Sequence, residues 1–449
     1  MNKKVTACLL AVLLLCSALS GCGSAEEASP AAEATAIDRL DLETLTIATA
    51  NGREIPFSQL NDMVVYMEYI YQMGGAVPYK DAEEMLSFLK NVLNMVIEKE
   101  VLLSQCDARG IALSEEETAI LQSEYEEHMA KILAGFEETA RKQDPEASEE
   151  LLAARAEAML DENLQMIGMT QESFYQDMVT SHLVDDLLYD SVARDVTVSD
   201  GDIRAWYESE LAAQKAAIEK KDTVFEEYWN GDLPALYIPE GYAEVRYIIY
   251  SFEENEELDK AQALLIGQRD ALVTKLTELL TTNADSSSEI ERVQTEIAAV
   301  KAQLNELAAG RKAVQDAKAF HAALEKGASF PELLATLGAG VENSGEEVEL
   351  IGPHSAYVDE ILSVCAGFEA DGDYSDVILT DDACYILWCE RALNAGEVEF
   401  ESVKDACREA ALVNARGEVW QQAKADWVAE ADIWIDEDAL LTLCGLNEE

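Results

Sequence analysis

Six cysteines follow residue 22 (Cys106, Cys365, Cys384, Cys389, Cys407 and Cys444), and the chain has four histidines, His128, His182, His321 and His354. Structural zinc needs thiolates and imidazoles in short paired spacings such as Cys-x-x-Cys. None of these residues is spaced that way, so the sequence offers no metal site and implies no cofactor. Cys384 and Cys389 are five apart in a strand-like run, so they point to opposite faces and are badly placed to pair. The expected role of these cysteines is that of small buried hydrophobes. The methionines are placed more tellingly: all ten after Met1 fall between residues 63 and 178. Met63, Tyr66, Met67, Ile70 and Met73 share one broad face of a helical segment, with Tyr69 and Tyr71 beside it. Flexible, polarizable thioethers suit a surface that must accept many sequences. These five are the candidate residues for binding unfolded polypeptide, the alternative being ordinary core packing.

The charge narrows the partners. With 32 Lys and Arg against 89 Asp and Glu, the formal charge is −57. A field of that sign repels nucleic acid and anionic lipid, and it keeps a protein soluble while it handles sticky or basic chains. Simple surface solvation is the alternative. The first residues are Met1-Asn2-Lys3-Lys4, followed by an apolar run over residues 5–19 and then Ser20-Gly21-Cys22. A basic start, an apolar run too short to span a bilayer and a small-residue cleavage site make a secretory signal. Leu19-Ser20-Gly21-Cys22 resembles the lipobox of bacterial lipoproteins. That implies cleavage before Cys22, lipidation of its thiol and attachment to the extracytoplasmic face of the bacterial cell membrane. Residues 22–44, rich in Ala, Glu and Ser, read as a flexible tether.

The remaining elements must position these groups. Leu45-Thr46-Ile47-Ala48-Thr49 reads as a strand before an Asn51-Gly52 turn, with Ser58 expected to cap the next helix. A helix over about 81–108 carries an apolar seam at Leu86, Leu89, Leu93, Ile97 and Val101, stopped by Gly110. Ser114 begins a capping box with Glu117, and Thr170 and Ser199 open later helices. Val245, Tyr247 and Ile249 mark a strand. Apolar seams through Leu265–Leu279 and Ile290–Leu307 then predict an antiparallel coiled-coil hairpin, its second arm running on to Gly327. Strands over 374–379 and 384–390, a helix over 400–430 and a strand at Ile433-Trp434-Ile435 complete the chain.

This order resembles the SurA/PrsA-type extracytoplasmic foldases. The N-terminal match runs through the strand, turn and helix of residues 47–60, Asp107-Ala108-Arg109-Gly110-Ile111, Val196-Thr197-Val198-Ser199-Asp200 and Trp206-Tyr207. Glu244-Val245-Arg246-Tyr247-Ile248-Ile249, Leu324-Glu325-Lys326-Gly327-Ala328-Ser329-Phe330, Gly372-Asp373-Tyr374-Ser375 and Ala383-Cys384-Tyr385-Ile386-Leu387 resemble a parvulin-type peptidyl-prolyl isomerase. The resemblance implies an α+β chain. Residues 1–21 would be a lipoprotein signal peptide, 22–44 a tether and 45–235 a mostly helical chaperone domain of SurA or trigger-factor type. Residues 236–393 would form a parvulin-like domain carrying the hairpin as an insertion at 256–317, and 394–449 a helix and strand packing back on the chaperone domain.

The departures bear on activity. Parvulins place histidines on the first and last strands, where this sequence has Tyr247 and Tyr385. Their glycine-rich segment is replaced by Gly345-Glu346-Glu347-Val348-Glu349-Leu350-Ile351-Gly352. The resemblance implies a folding factor that binds newly exported chains, with Tyr247 and Tyr385 at the catalytic positions of a doubtful isomerase. The alternative is a scaffolding lipoprotein whose hairpin docks a surface complex.

Overall fold

The computed structural model describes residues 42, 44–281, 287–337, 341–343 and 347–446. The expected signal peptide and Cys22 lie outside them. The fold is α+β and mostly helical, and it separates into two compact units. One comprises the described residues up to Thr197 together with those from Leu412 onward, and the other those of Val198–Ala411. Among the described residues no helix is long and apolar enough to cross a membrane.

In the first unit, strands Thr46–Ala50 and Arg53–Pro56 form a hairpin through Asn51 and Gly52, whose φ angles of 51° and 80° give the left-handed two-residue turn. The late strand Ile433–Ile435 pairs antiparallel with the first, Ala48 opposite Ile435. Ile47, Ala48, Ile55 and Leu60 pack with Leu93, Val101 and Leu440 as its core. Helix Phe57–Met73 begins one residue before the expected cap. Pro56 holds the N-cap position with an extended backbone, and the Phe57 amide donates to the Leu45 carbonyl, so Ser58 is left inside the first turn. Helix Ala82–Arg109 is capped by Asp81 and stopped by Gly110 in the left-handed region. Ser114 and Glu117 cap Glu115–Gln143 reciprocally, and Glu149–Met166 packs beside it. Helix Gln171–Ser181 opens at Thr170 and runs into a π-helical segment, His182–Leu188, that periodicity does not predict. Helix Glu437–Leu443, which buries Leu440, is likewise unexpected.

The second unit is built on strand Ala243–Ser251, paired antiparallel along its length with Ala383–Ala392. Short strands Glu342–Asn343 and Glu349–Ile351 pair with the former, and Ile378–Leu379 with the latter. The strand expected over 374–379 is therefore shorter, with Tyr374 contributing only an isolated bridge to Trp388. Alternation sends Ile248, Tyr250, Cys384 and Ile386 to one face, under helices Lys312–Glu325 and Phe330–Leu334. Val245, Leu387 and Cys389 face helix Asp359–Cys365 on the other. Cys384 and Cys389 thus lie on opposite faces, and the six described cysteines are free and buried.

Helix Asp200–Lys220 packs with the second unit, which moves the expected boundary at 235 back to Thr197. Its buried polar groups find partners within this unit. The Tyr207 hydroxyl donates to the Val398 carbonyl at 2.6 Å, and Gln214 bridges the Pro234 carbonyl and the Leu236 amide. Helices Glu256–Thr281 and Ser287–Ala308 run antiparallel, linked near their connection by Lys275 and Glu289 at 3.0 Å. The second does not continue to Gly327. It breaks before Arg311, which is 1% exposed and donates to the Glu253 carbonyl, Asp259 and Gln262 while its guanidinium stacks on Phe252. A buried guanidinium needs most of its donors filled, and the turn at Gly310 and Arg311 brings them together.

Gly168, with φ of 68°, holds the first helix close: a Cβ there would lie 2.5 Å from the Asp62 carbonyl oxygen. Gly110 has a similar φ of 66° but open space around it. Gly110→Ala is expected to cost about 1–2 kcal/mol for its left-handed backbone. Gly168→Ala should cost roughly 1–3 kcal/mol more, since backbone must also move. Urea melts of the two variants measure the difference, and equal losses would refute the close contact.

Candidate functional site

Helix Ala82–Arg109 has two working faces. Leu89, Leu93, Ile97 and Val101 enter the core of the first unit. Met95, Lys99 and Leu102 follow helical spacing on the opposite side. There they line a groove of about 630 Å³ with Met63, Tyr66, Val96 and Met169. Of the five expected client-binding residues, Met63 and Tyr66 line this groove. Met67 packs against the core beside the first sheet, Ile70 is half-buried outside the groove lining, and Met73 is exposed at the helix end. The helix divides its apolar face: Met63 and Met67 lean on the sheet core, whereas Tyr66 and Tyr69 lean on the cluster of Phe136, Leu160 and Phe174. Sequence reasoning missed Met95 and Met169. Met95 carried a usable signal, an apolar residue standing opposite the leucine seam; Met169 lies in a turn and carried none.

The groove also has an ordered polar lining. Lys99 pairs with Asp177 at 2.5 Å and Lys424 with Glu98 at 3.2 Å. Glu100, 6% exposed, accepts from Arg53 at 2.6 Å and from Gln59 at 2.8 Å. Asp185, on the π-helical segment, has its pKa raised by burial and then by the neighbouring Asp186, with Lys424 opposing.

In the second unit Tyr247 lies opposite Leu387, and Tyr385 opposite Ile249, on the two long paired strands. Both tyrosines pack on the face covered by helix Asp359–Cys365, so the structure brings the two predicted positions to one diagonal of one sheet face. It adds two residues that the sequence did not single out. The Tyr357 hydroxyl donates to Glu349 at 2.8 Å and shares a hydrogen bond with Tyr247. Burial, then the Glu349 carboxylate, raises the pKa of Tyr247; burial, then hydrogen bonding to Glu349, raises that of Tyr357 well above the usual range. Burial, then Asp382, raises that of Tyr385. All three phenols are therefore protonated at neutral pH, and none is tuned for proton transfer. On the same face, burial pushes the thiols of Cys365 and Cys389 up to about 12 and about 11, leaving no ready nucleophile. The tyrosine cluster can present hydroxyls to a ligand, but it supplies no acid–base pair.

No family model matches the chain. Two curated relatives, both foldase proteins PrsA from strains of Clostridium perfringens, are similar to it. One is 22% identical over 267 residues, covering 58% of this chain and 67% of the relative. The other is 24% identical over 233 residues, covering 50% and 57%. Among solved structures, a SurA-like chaperone of Campylobacter jejuni aligns over 87% of this chain and 99% of its own, at 11% identity and a TM-score of 0.28. A foldase protein PrsA from Lactococcus lactis aligns over 90% and 100%, at 11% identity and a TM-score of 0.23. The chain is thus similar, at low identity, to foldase proteins PrsA, a resemblance that its motif order leads one to expect.

Asp185 gives a pH test of the groove. Its folded pKa lies above the ordinary value of 3.8, so folding favours its protonated form. The stability it contributes is complete below that ordinary value and lost as pH rises through the raised one. Asp185→Asn should therefore raise the melting temperature at pH 7, and the gain should shrink as pH falls into the carboxylate range. A destabilised variant at pH 7 would contradict the burial of this carboxylate.

Proposed function

We propose that this divergent relative of the PrsA foldases is a membrane-tethered extracytoplasmic folding factor whose first unit holds exposed apolar segments of newly exported chains. The observation that carries this reading is the groove of about 630 Å³ lined by Met63, Tyr66, Met95 and Met169. Cavities of this size accept a few side chains, and thioethers adapt to unlike ones. Burying one apolar side chain is worth about 1.5–3 kcal/mol, against about 1–2 kcal/mol to fix its backbone. The net gain per residue is small, so release stays easy. Weak, exchangeable capture of this kind suits a factor that must return its client to folding. A lipidated Cys22 would keep the groove at the outer face of the membrane, where exported chains emerge, and residues 22–44 would give it reach.

The second unit, on this reading, is a parvulin-like contact site that does not isomerise proline. Rotation about an Xaa-Pro bond faces a barrier of about 18–20 kcal/mol. A pocket lowers that barrier by holding a twisted, desolvated amide. The Tyr247 and Tyr357 hydroxyls are already engaged with each other and with Glu349, which argues against their remaking bonds around a turning amide.

Two measurements test the proposal. The mature chain at equimolar ratio should suppress aggregation of an unfolded client, and Met95→Glu should weaken that suppression several-fold. Met95 is 47% exposed, so its replacement should shift stability by less than about 0.5 kcal/mol. Undiminished suppression would remove the groove from the account. In a protease-coupled assay on a short Xaa-Pro peptide, the intact chain should show only the uncatalysed rate. A faster rate, abolished in Tyr247→Phe, would reinstate catalysis.

A further inference from the structure

The groove is not simply apolar. Five carboxylates line it (Asp62, Glu98, Glu100, Asp177 and Asp185) against two ammonium groups, those of Lys99 and Lys424. The chain's own cations account for three of the five. Lys424 takes Glu98, Lys99 takes Asp177, and Arg53 reaches Glu100 from outside the lining. Asp62 and Asp185 line the same groove, and no ion pair with a cation is formed by either among the described residues. Asp185 is half-buried, its carboxylate stands next to that of Asp186, and Lys424 is committed to Glu98. A half-buried carboxylate that feels Lys424 only from beyond ion-pair distance is poorly compensated, and an incoming positive group would relieve it. The rest of the molecule reinforces the sign, with a formal charge of −57.

We propose that the occupant of this groove is an apolar polypeptide segment flanked by lysine or arginine, with Met63, Tyr66 and Met95 taking its apolar side chains and Asp62 and Asp185 its basic ones. The inference rests on the capture function proposed above and specifies what is captured. The chemistry favours an organic cation over a metal ion: among the described residues no three His, Cys, Asp or Glu side chains are placed to share one. It also gives the occupant a direction of selection. An acidic flank would meet both unpaired carboxylates and the general field, so apolar segments of equal hydrophobicity should be sorted by the sign of their neighbours.

The experiment uses the full mature chain and three fluorescent peptides that share one apolar core, flanked by two lysines, two glutamines or two glutamates. Anisotropy titrations at low salt should give the lysine peptide roughly five- to tenfold tighter binding than the glutamine peptide, with the glutamate peptide weakest. The preference should fall toward unity at about 0.5 M salt, where charges are screened within a few ångströms. It should also vanish in Asp62→Asn/Asp185→Asn, while binding of the glutamine peptide is retained. Equal affinities for all three peptides in the wild type would overturn the charge selection and leave capture standing. A preference that survives in the double variant would overturn the assignment to these two carboxylates. Failure of every peptide to bind would overturn capture itself.

Discussion

The first unit depends on one non-local pairing. Strand Ile433–Ile435 lies antiparallel to Thr46–Ala50, and the join is sealed by polar contacts at its ends. The Asn51 amide donates to the Asp432 carbonyl, the Asp432 amide to the Asn51 side chain, and the Asp436 amide to the Ile47 carbonyl. Ile433 and Ile435 of that strand pack against the core that holds Ile47 and Ala48. The groove helix Ala82–Arg109 packs on the same core, so the groove inherits its position from residues more than three hundred places further along the chain. Long-range closure of this kind carries a loop-entropy cost and slows folding. The chain must leave the unit after Thr197 and re-enter it at Leu412 before the unit is whole.

The two candidate sites divide the work by chemistry. The groove combines adaptable side chains with carboxylates, two of which form no ion pair among the described residues, and on the proposed reading it serves contact and selection. On the tyrosine face of the second unit the Tyr247 and Tyr357 hydroxyls share a hydrogen bond, Tyr357 donates to Glu349, and the thiols are held neutral by burial.

Local rules were legible wherever the sequence alone decides the backbone. The Asn51-Gly52 turn, the reciprocal Ser114–Glu117 cap, the Gly110 stop and the alternation along Ala243–Ser251 follow from side-chain chemistry and period. Features set by tertiary demand were not. The helix break at Arg311 exists because a guanidinium distant from its partners in sequence had to be satisfied in the interior. Helix Asp200–Lys220 belongs with the second unit because Gln214 and Tyr207 find their partners there. At the groove, spacing alone made one face of Met63, Tyr66, Met67, Ile70 and Met73, whereas packing splits that face between two cores. Opposition to a leucine seam would have pointed to Met95, and nothing local points to Met169 or Asp185.

The buried cysteines make the chain a reporter on its own integrity. Burial pushes the thiols of Cys365, Cys384 and Cys389 up to about 12, about 12 and about 11, so thiolate, the form that alkylating and oxidising agents attack, is nearly absent while the fold is closed. A molecule that opens exposes ordinary thiols and is marked chemically at once. Because Cys106 and Cys444 lie in one unit and Cys365, Cys384, Cys389 and Cys407 in the other, labelling of each set reports on the opening of its own unit.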